Sequence, residues 1–335
     1  MQDVAERAGV SVSTVSHVIN GTRYVSPELT ERVRAAMAEL RFQPNAVARS
    51  LRRKETLTLG MIVPDNANPF FAMLAHTVEN VCYHQGYSLI LTNSGGDPAR
   101  EIANVGVLLS KQVDGLILAA VGLGSRDLEQ ALRAAPVVLV DRNLPGAGVD
   151  TLLVDNLGGG RQATRYLIEL GHRRIGCITG PSTTTPSADR VTGYRRALQE
   201  AGIAVDEDLI TRGDFQFAGG YAGVQALLAL PKPPTAIFAC NDLMAMGAIA
   251  AGAASGRQVP TDLSIVGFDD SALAAYTTPA LTTIAQPIAE IGRLATEMII
   301  RRSQMSDAPQ QRRILGTQLI VRQSTSFPAR RSEGS

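Results

Sequence analysis

The chain has no tryptophan, and aromatic residues make up only 4% of its 335 positions. Its core must therefore be largely aliphatic, and any ring-lined surface rests on few side chains. Only three cysteines occur, Cys82, Cys177 and Cys240, odd in number and far apart. That pattern excludes a disulfide framework and predicts buried, reduced thiols. His76, Cys82 and His84 fall on one predicted helix at roughly 0°, 240° and 80°, so they cannot converge on a metal. No apolar run approaches the roughly 20 residues that span a bilayer, and no signal peptide precedes the first polar, helix-forming residues. A cytoplasmic protein without a membrane partner is expected. Enzyme signatures are missing as well. Gly158–Gly160 is not followed by the Lys-Ser/Thr of a phosphate loop, and there is no Gly-x-Ser-x-Gly elbow. No catalytic residue, cofactor or metal is predicted.

What is present is unevenly distributed. Residues 1–54 hold nine Lys/Arg against five Asp/Glu, a balance of +4, while the remaining 281 carry −3. A small basic head on a mildly acidic body points to a polyanion partner for the head. Residues 1–44 contain short helical patterns and no strand-like run, and 45–56 form a basic joint. From Leu57 onward, apolar runs such as "LTLGMIV", "GLILAAV", "PVVLVD" and "TAIFAC" alternate with helical spacings over Phe71–Gln85, Pro98–Ser110 and Gly159–Leu170. Continuous apolar strands between helices predict parallel sheets covered on both faces. Two such series break near Val154–Gly160. The fold class expected is an all-α helix-turn-helix domain followed by an α/β domain of two doubly wound parallel sheets. In such sheets ligands collect at the carboxyl ends of strands, so a cleft between the lobes is the default binding site.

The head reads "DVAERAGVSVSTVSHVIN" over residues 3–20. Val4, Ala5 and Ala8 share one helix face and Gly9 stops that helix. Ser11 then caps a second helix, which turns Val15, Val18 and Ile19 inward. Two short helices across a tight turn are the helix-turn-helix unit, whose second helix enters the major groove. Its outward residues, Val12, Ser13, Ser16 and His17, are small or hydrogen-bonding groups suited to base edges.

This string, with "VSPELTERVRAAMAELRFQPNAVARSL" after it, resembles the DNA-binding head of the lactose/galactose repressor family. It is closest in motif to the ribose and purine repressors, which share "TVSHVIN". The resemblance implies that Ser26 caps a third helix ending near Leu40, and that Val12, Ser13 and His17 read bases, with Thr14, Ser16 and Asn20 completing the DNA-contacting set. It also implies that Asn45–Arg53 is a hinge helix ordered on DNA. There Arg49 and Arg52 would face the backbone and minor groove, and Leu51 would wedge between base pairs. Family members usually carry several residues before the Asp-Val-Ala, including a Ser/Thr cap. Here Met1-Gln2 stands in that place, so the first helix is expected to lack its side-chain cap, as from a misassigned start or a trimmed chain.

The body, 57–330, is similar to the two-lobed periplasmic sugar-binding fold, with an N-lobe of about 57–155 and 284–313 and a C-lobe of about 156–283 and 314–330. By that similarity the ligand set is Asn68, Phe70, Phe71, Asp141, Arg142, Arg190, Phe215, Asn241, Asp269 and Gln286, while Asp242 caps the helix it opens. Carboxylates and amides hold hydroxyls, and rings cover the apolar sugar face. The implied protein is a sugar-responsive repressor binding palindromic operator DNA as a homodimer. Its implied effector is a ribose-like pentose, with a hexose, nucleoside or purine as the alternatives. No leucine heptad follows the last strand, near Leu319–Val321, so a coiled-coil tetramer is not expected.

Overall fold

A computed structural model describes residues 1–42, 55–119, 134–142, 148–181, 185–305 and 309–329. The chain divides after Thr56 into two compact units.

The first unit contains α1 (Gln2–Ala8), α2 (Val12–Asn20) and α3 (Pro27–Glu39). Its small core is Val4, Ala5, Ala8, Val15, Val33 and Ala36, with Val18, Ile19 and Phe42 packed against it. Each helix start has a local cause. The Ser11 hydroxyl accepts from the Thr14 amide at 3.1 Å, and Ser26 accepts from Leu29 at 3.4 Å ahead of Pro27. Helix α1 has no side-chain cap, and Asp3 lies in its first turn, where a carboxylate suits the helix dipole. Gly9 closes α1 in the left-handed region at φ 61°, and the turn is clamped by Arg32, whose Nη2 donates to the Ala8 carbonyl at 2.6 Å.

The second unit has two lobes, each built on a six-stranded sheet. The first sheet comprises β1 (Thr58–Val63), β2 (Ser88–Asn93), β3 (Gly115–Leu118), β4 (Val137–Val140), β5 (Asp150–Val154) and β11 (Arg312–Leu315), ordered β11-β5-β4-β3-β1-β2 and parallel throughout. The second comprises β6 (Ile175–Thr179), β7 (Ile210–Arg212), β8 (Ala236–Ala239), β9 (Ser264–Asp269), β10 (Thr282–Ala285) and β12 (Gln318–Ile320), ordered β12-β10-β9-β8-β6-β7. Only the edge strand β12 among these runs antiparallel. Strands β3, β4 and β8 are buried at every residue, which follows from helices on both faces.

In the first lobe α4 (Pro69–His84) and α10 (Ile288–Gln304) pack together on one face, and α5 (Pro98–Ser110) covers β1 and β2. The second lobe carries α6 (Asn156–Glu169), α7 (Thr185–Glu200), α8 (Phe217–Leu228) and α9 (Asp242–Ala254). Helices α4 and α6 begin before the predicted Phe71 and Gly159, because Asn68 and Asp155 cap them through Phe70 and Gly158 amides. All three cysteines are buried and unbridged.

The chain passes between the lobes after β5, after β10 and after β11. Residues 284–285 pair with β9 in the second sheet, and 314–315 pair with β5 in the first. The second and third crossings therefore fall slightly later than the expected boundaries, because the ladder hydrogen bonds continue to Ala285 and Leu315.

Candidate functional site

The cleft between the lobes is lined by Asn68, Phe70, Phe71, Asp141, Arg142, Pro186, Arg190, Phe215, Asn241, Asp269 and Gln286, around about 310 Å³ of open space. The first lobe contributes the start of α4 and the end of β4. The second contributes α7, the loop before α8, the start of α9 and the end of β9, and Gln286 lies at a crossing. All ten residues expected at a ligand site line this one cleft, as does Pro186, which the sequence reading missed. Pro186 has no chemistry to single it out; only its position one turn before Arg190 on α7 could have suggested it.

The polar walls are held in fixed positions. Asn68 uses Oδ1 on the Phe70 amide at 3.0 Å. Asn241 caps α9 by accepting from Met244 at 2.9 Å and ties down the adjacent loop by donating to the Phe215 carbonyl at 2.9 Å. The expected cap at Asp242 is thus a correction, since Asn241 occupies the N-cap position. Asp242 lies one residue inside the helix and turns into the core, where it accepts from the Ser271 amide at 2.7 Å and the Thr283 hydroxyl at 2.5 Å. Three cleft residues other than glycine have left-handed backbones: Asp141 at φ 63°, Phe215 at 67° and Asp269 at 124°. Such conformations cost energy and cluster where side chains must be aimed.

Arg190, 4% exposed, is gripped from several sides. Its Nε donates to Asn156 Oδ1 at 2.8 Å and its Nη1 to the Cys240 carbonyl at 2.5 Å. Asp269 Oδ1 is 3.7 Å from Nη1 and accepts from Gln286 Nε2 at 2.7 Å. Burial pushes the Asp269 carboxyl up to about 8; Arg190, beyond hydrogen-bonding distance, offsets this only in part. Burial likewise raises Asp242 to about 7. Asp141 and Arg142 pair with each other at 2.7 Å. Both ion pairs lie within a single lobe, so neither clamps the lobes together. Three buried atoms in the cleft walls have no partner among the described residues: Asp141 Oδ1, Arg142 Nε and Gln286 Oε1.

In the head, Val12 and Ser13 are exposed on α2, while Thr14, Ser16, His17 and Asn20 are half-buried. His17 Nδ1 is 2.9 Å from the Thr22 hydroxyl, and Asn20 Nδ2 donates to the Ser16 carbonyl at 2.8 Å. Thr22, which orients the ring, gave no sequence signal because it lies beyond the helix end. Arg49, Leu51 and Arg52 lie outside the described residues. Among the described residues no group of His, Cys, Asp or Glu could hold a metal, and no helix is long and apolar enough to cross a membrane.

A helix-turn-helix head followed by a two-lobed, cleft-bearing α/β domain defines a class of bacterial transcription regulators. Residues 1–45 match the model for bacterial regulatory proteins of the lacI family, and residues 164–325 match a periplasmic binding protein-like domain. The chain belongs to the lacI family. It is 44% identical over 327 residues to the ribose operon repressor of Escherichia coli (strain K12), covering 97% of this chain and 99% of the relative. Among solved structures it is similar to the lac repressor dimer bound to operator and the anti-inducer ONPF, with a TM-score of 0.85, 29% identity, and 97% and 98% of the two chains covered. It is also similar to a LacI family regulator from Enterococcus faecium with bound ribose, with a TM-score of 0.75, 29% identity, and 81% and 99% coverage. These relatives are transcriptional repressors and regulators.

Proposed function

We propose that the protein is a cytoplasmic repressor that binds a palindromic operator as a homodimer and is switched by a ribose-like sugar in the interlobe cleft. The observation that carries the reading is the set of three buried atoms without a partner among the described residues, Asp141 Oδ1, Arg142 Nε and Gln286 Oε1, on the walls of one cleft. An unsatisfied buried polar group costs roughly 1–3 kcal/mol. Two acceptors and a donor in one small space suit a ligand whose groups both donate and accept, as hydroxyls do. Phe70, Phe71 and Phe215 supply apolar faces for sugar C–H bonds. The relatives named for ribose support the choice of a pentose.

On the DNA side, Val12, Ser13, Thr14, Ser16, His17 and Asn20 form the surface offered to the major groove. Arg49 and Arg52 hold the phosphate backbone beside the minor groove, and Leu51 is the wedge at the operator centre. A homodimer is supported by exposed apolar side chains on the first lobe, Ile102 and Val107 of α5 and Leu91 of edge strand β2, which a partner would cover. Two-fold pairing matches two half-sites.

The test is calorimetry of D-ribose, D-xylose, D-glucose, adenosine and hypoxanthine, with and without an operator selected from random duplexes. Ribose is expected to bind most tightly, with an affinity that changes when operator is present, since coupling is reciprocal. Tighter binding of hypoxanthine, or sugar affinity indifferent to operator, would overturn the reading.

A further inference from the structure

We infer that Asn156 is a positioning residue that links the cleft arginine to the lobe crossing, so that effector contact at Arg190 is passed to that crossing through its side chain. The inference rests on the proposed effector site and adds a residue outside the cleft lining.

Asn156 is the first residue of α6 and follows the first crossing directly. It is 5% exposed. Its carboxamide faces two ways. Oδ1 accepts from Arg190 Nε at 2.8 Å, and Nδ2 donates to the carbonyl of Val154, the last residue of β5, at 3.3 Å. Between them Asp155 donates its amide to the Leu315 carbonyl at 2.8 Å, which joins the first crossing to the third. One side chain therefore spans from the guanidinium to the backbone where two crossings meet.

The other neighbours of Arg190 do not offer this route. Phe268, 3.6 Å from the guanidinium carbon, and the Cys240 carbonyl belong to the fixed frame of the second lobe. Gln286, at the second crossing, reaches Arg190 only through Asp269. The backbone is locked as well. A Cβ at Gly160 would come within 2.2 Å of the Arg190 carbonyl, and one at Gly193 within 2.2 Å of the Leu157 carbonyl. Helices α6 and α7 therefore approach too closely there to slide past a side chain. Of these contacts, the Asn156 carboxamide is the one that carries the guanidinium to a crossing directly.

The donor and acceptor halves of that group can be removed separately. Asn156→Ala deletes both. Asn156→Asp keeps an acceptor for Arg190 Nε but cannot donate to Val154. The measurement is the D-ribose dissociation constant of the full chain, with and without operator; the ratio of the two is the coupling factor. Thermal melting accompanies it. With Asn156→Ala, ribose affinity should fall about tenfold, the scale of a lost hydrogen bond to a charged group, and the coupling factor should approach one. With Asn156→Asp, affinity should stay within about threefold of wild type while the coupling factor again approaches one. A purely structural role would lower the melting temperature of both variants and leave the coupling factor unchanged; that result overturns the proposal alone. A wild-type protein that binds no ribose overturns the effector reading, and the proposal with it.

Discussion

The guanidinium carbon of Arg190 lies 3.6 Å from the centroid of the Phe268 ring, the shorter of its two cation–π contacts. The ring fixes one face of the guanidinium, while Asn156 and the Cys240 carbonyl fix two of its edges. An Arg is required here because a lysine ammonium has neither the plane nor the fork of donors. Arg190→Lys should weaken ribose binding by at least tenfold, about 1.4 kcal/mol, and leave operator affinity without sugar unchanged. Calorimetry and operator titration check the two halves separately.

Near the cleft residues Asn68 and Phe215, a hydrogen bond joins the two lobes. Gln216 Nε2 donates to Asp65 Oδ2 at 2.9 Å, joining the loop after β1 to the start of α8. The bond is exposed and links opposite lobes, so it adds modestly to closure. Gln216→Ala should raise the ribose dissociation constant about two- to tenfold, the range expected for one ordinary hydrogen bond. An unchanged constant would show that the contact contributes nothing to closure.

His172 sets an acid limit on stability. Its ring is buried between the Thr235 hydroxyl at 2.9 Å on Nδ1 and, on Nε2, the Ser264 hydroxyl at 3.1 Å and the Ser326 carbonyl at 3.0 Å. Burial holds its pKa below the ordinary 6.5. The unfolded chain therefore takes up the proton first as pH falls. The contribution of His172 is complete above pH 6.5 and is lost as pH falls from there through the lowered folded value. The difference in melting temperature between wild type and His172→Gln should shrink from pH 7.5 down to 5, while the buried Asp242 and Asp269 carboxyls, raised to about 7 and 8, act in the opposite direction in both proteins.

In the head, His17→Ala should relax discrimination at one base pair by roughly 1–3 kcal/mol, read by binding to single-substituted operators. Thr22→Val should reproduce part of the effect without touching DNA itself, because Thr22 orients the ring. A uniform loss on all sequences would instead make His17 a phosphate contact.

The long helices and central strands could be read from the chain because their apolar periods are strong, as in Pro98–Ser110, which matches α5 to the residue. Weaker elements escaped. Strand β7 has three residues and β11 begins with two exposed arginines, so neither carries a pattern of its own; neighbouring strands create both. At the cleft, dipeptides such as Asn241-Asp242 marked a position that the fold brings into the lining, but not the division of labour. Either residue can cap a helix, and only burial against Ser271 and Thr283 decides which one turns inward. The left-handed backbones of Asp141, Phe215 and Asp269 were equally hidden, since none is a glycine.

The three crossings have a consequence for synthesis. The first sheet lacks its edge strand until Leu315 has been made, and the second lacks its own until Ile320. On the ribosome, the helices of the DNA-reading head emerge and can pack long before either lobe can close. Neither lobe is a contiguous stretch of chain, so a transcript cut short before β11 yields a head without a finished sensor. Such a fragment would have nothing with which to answer a sugar.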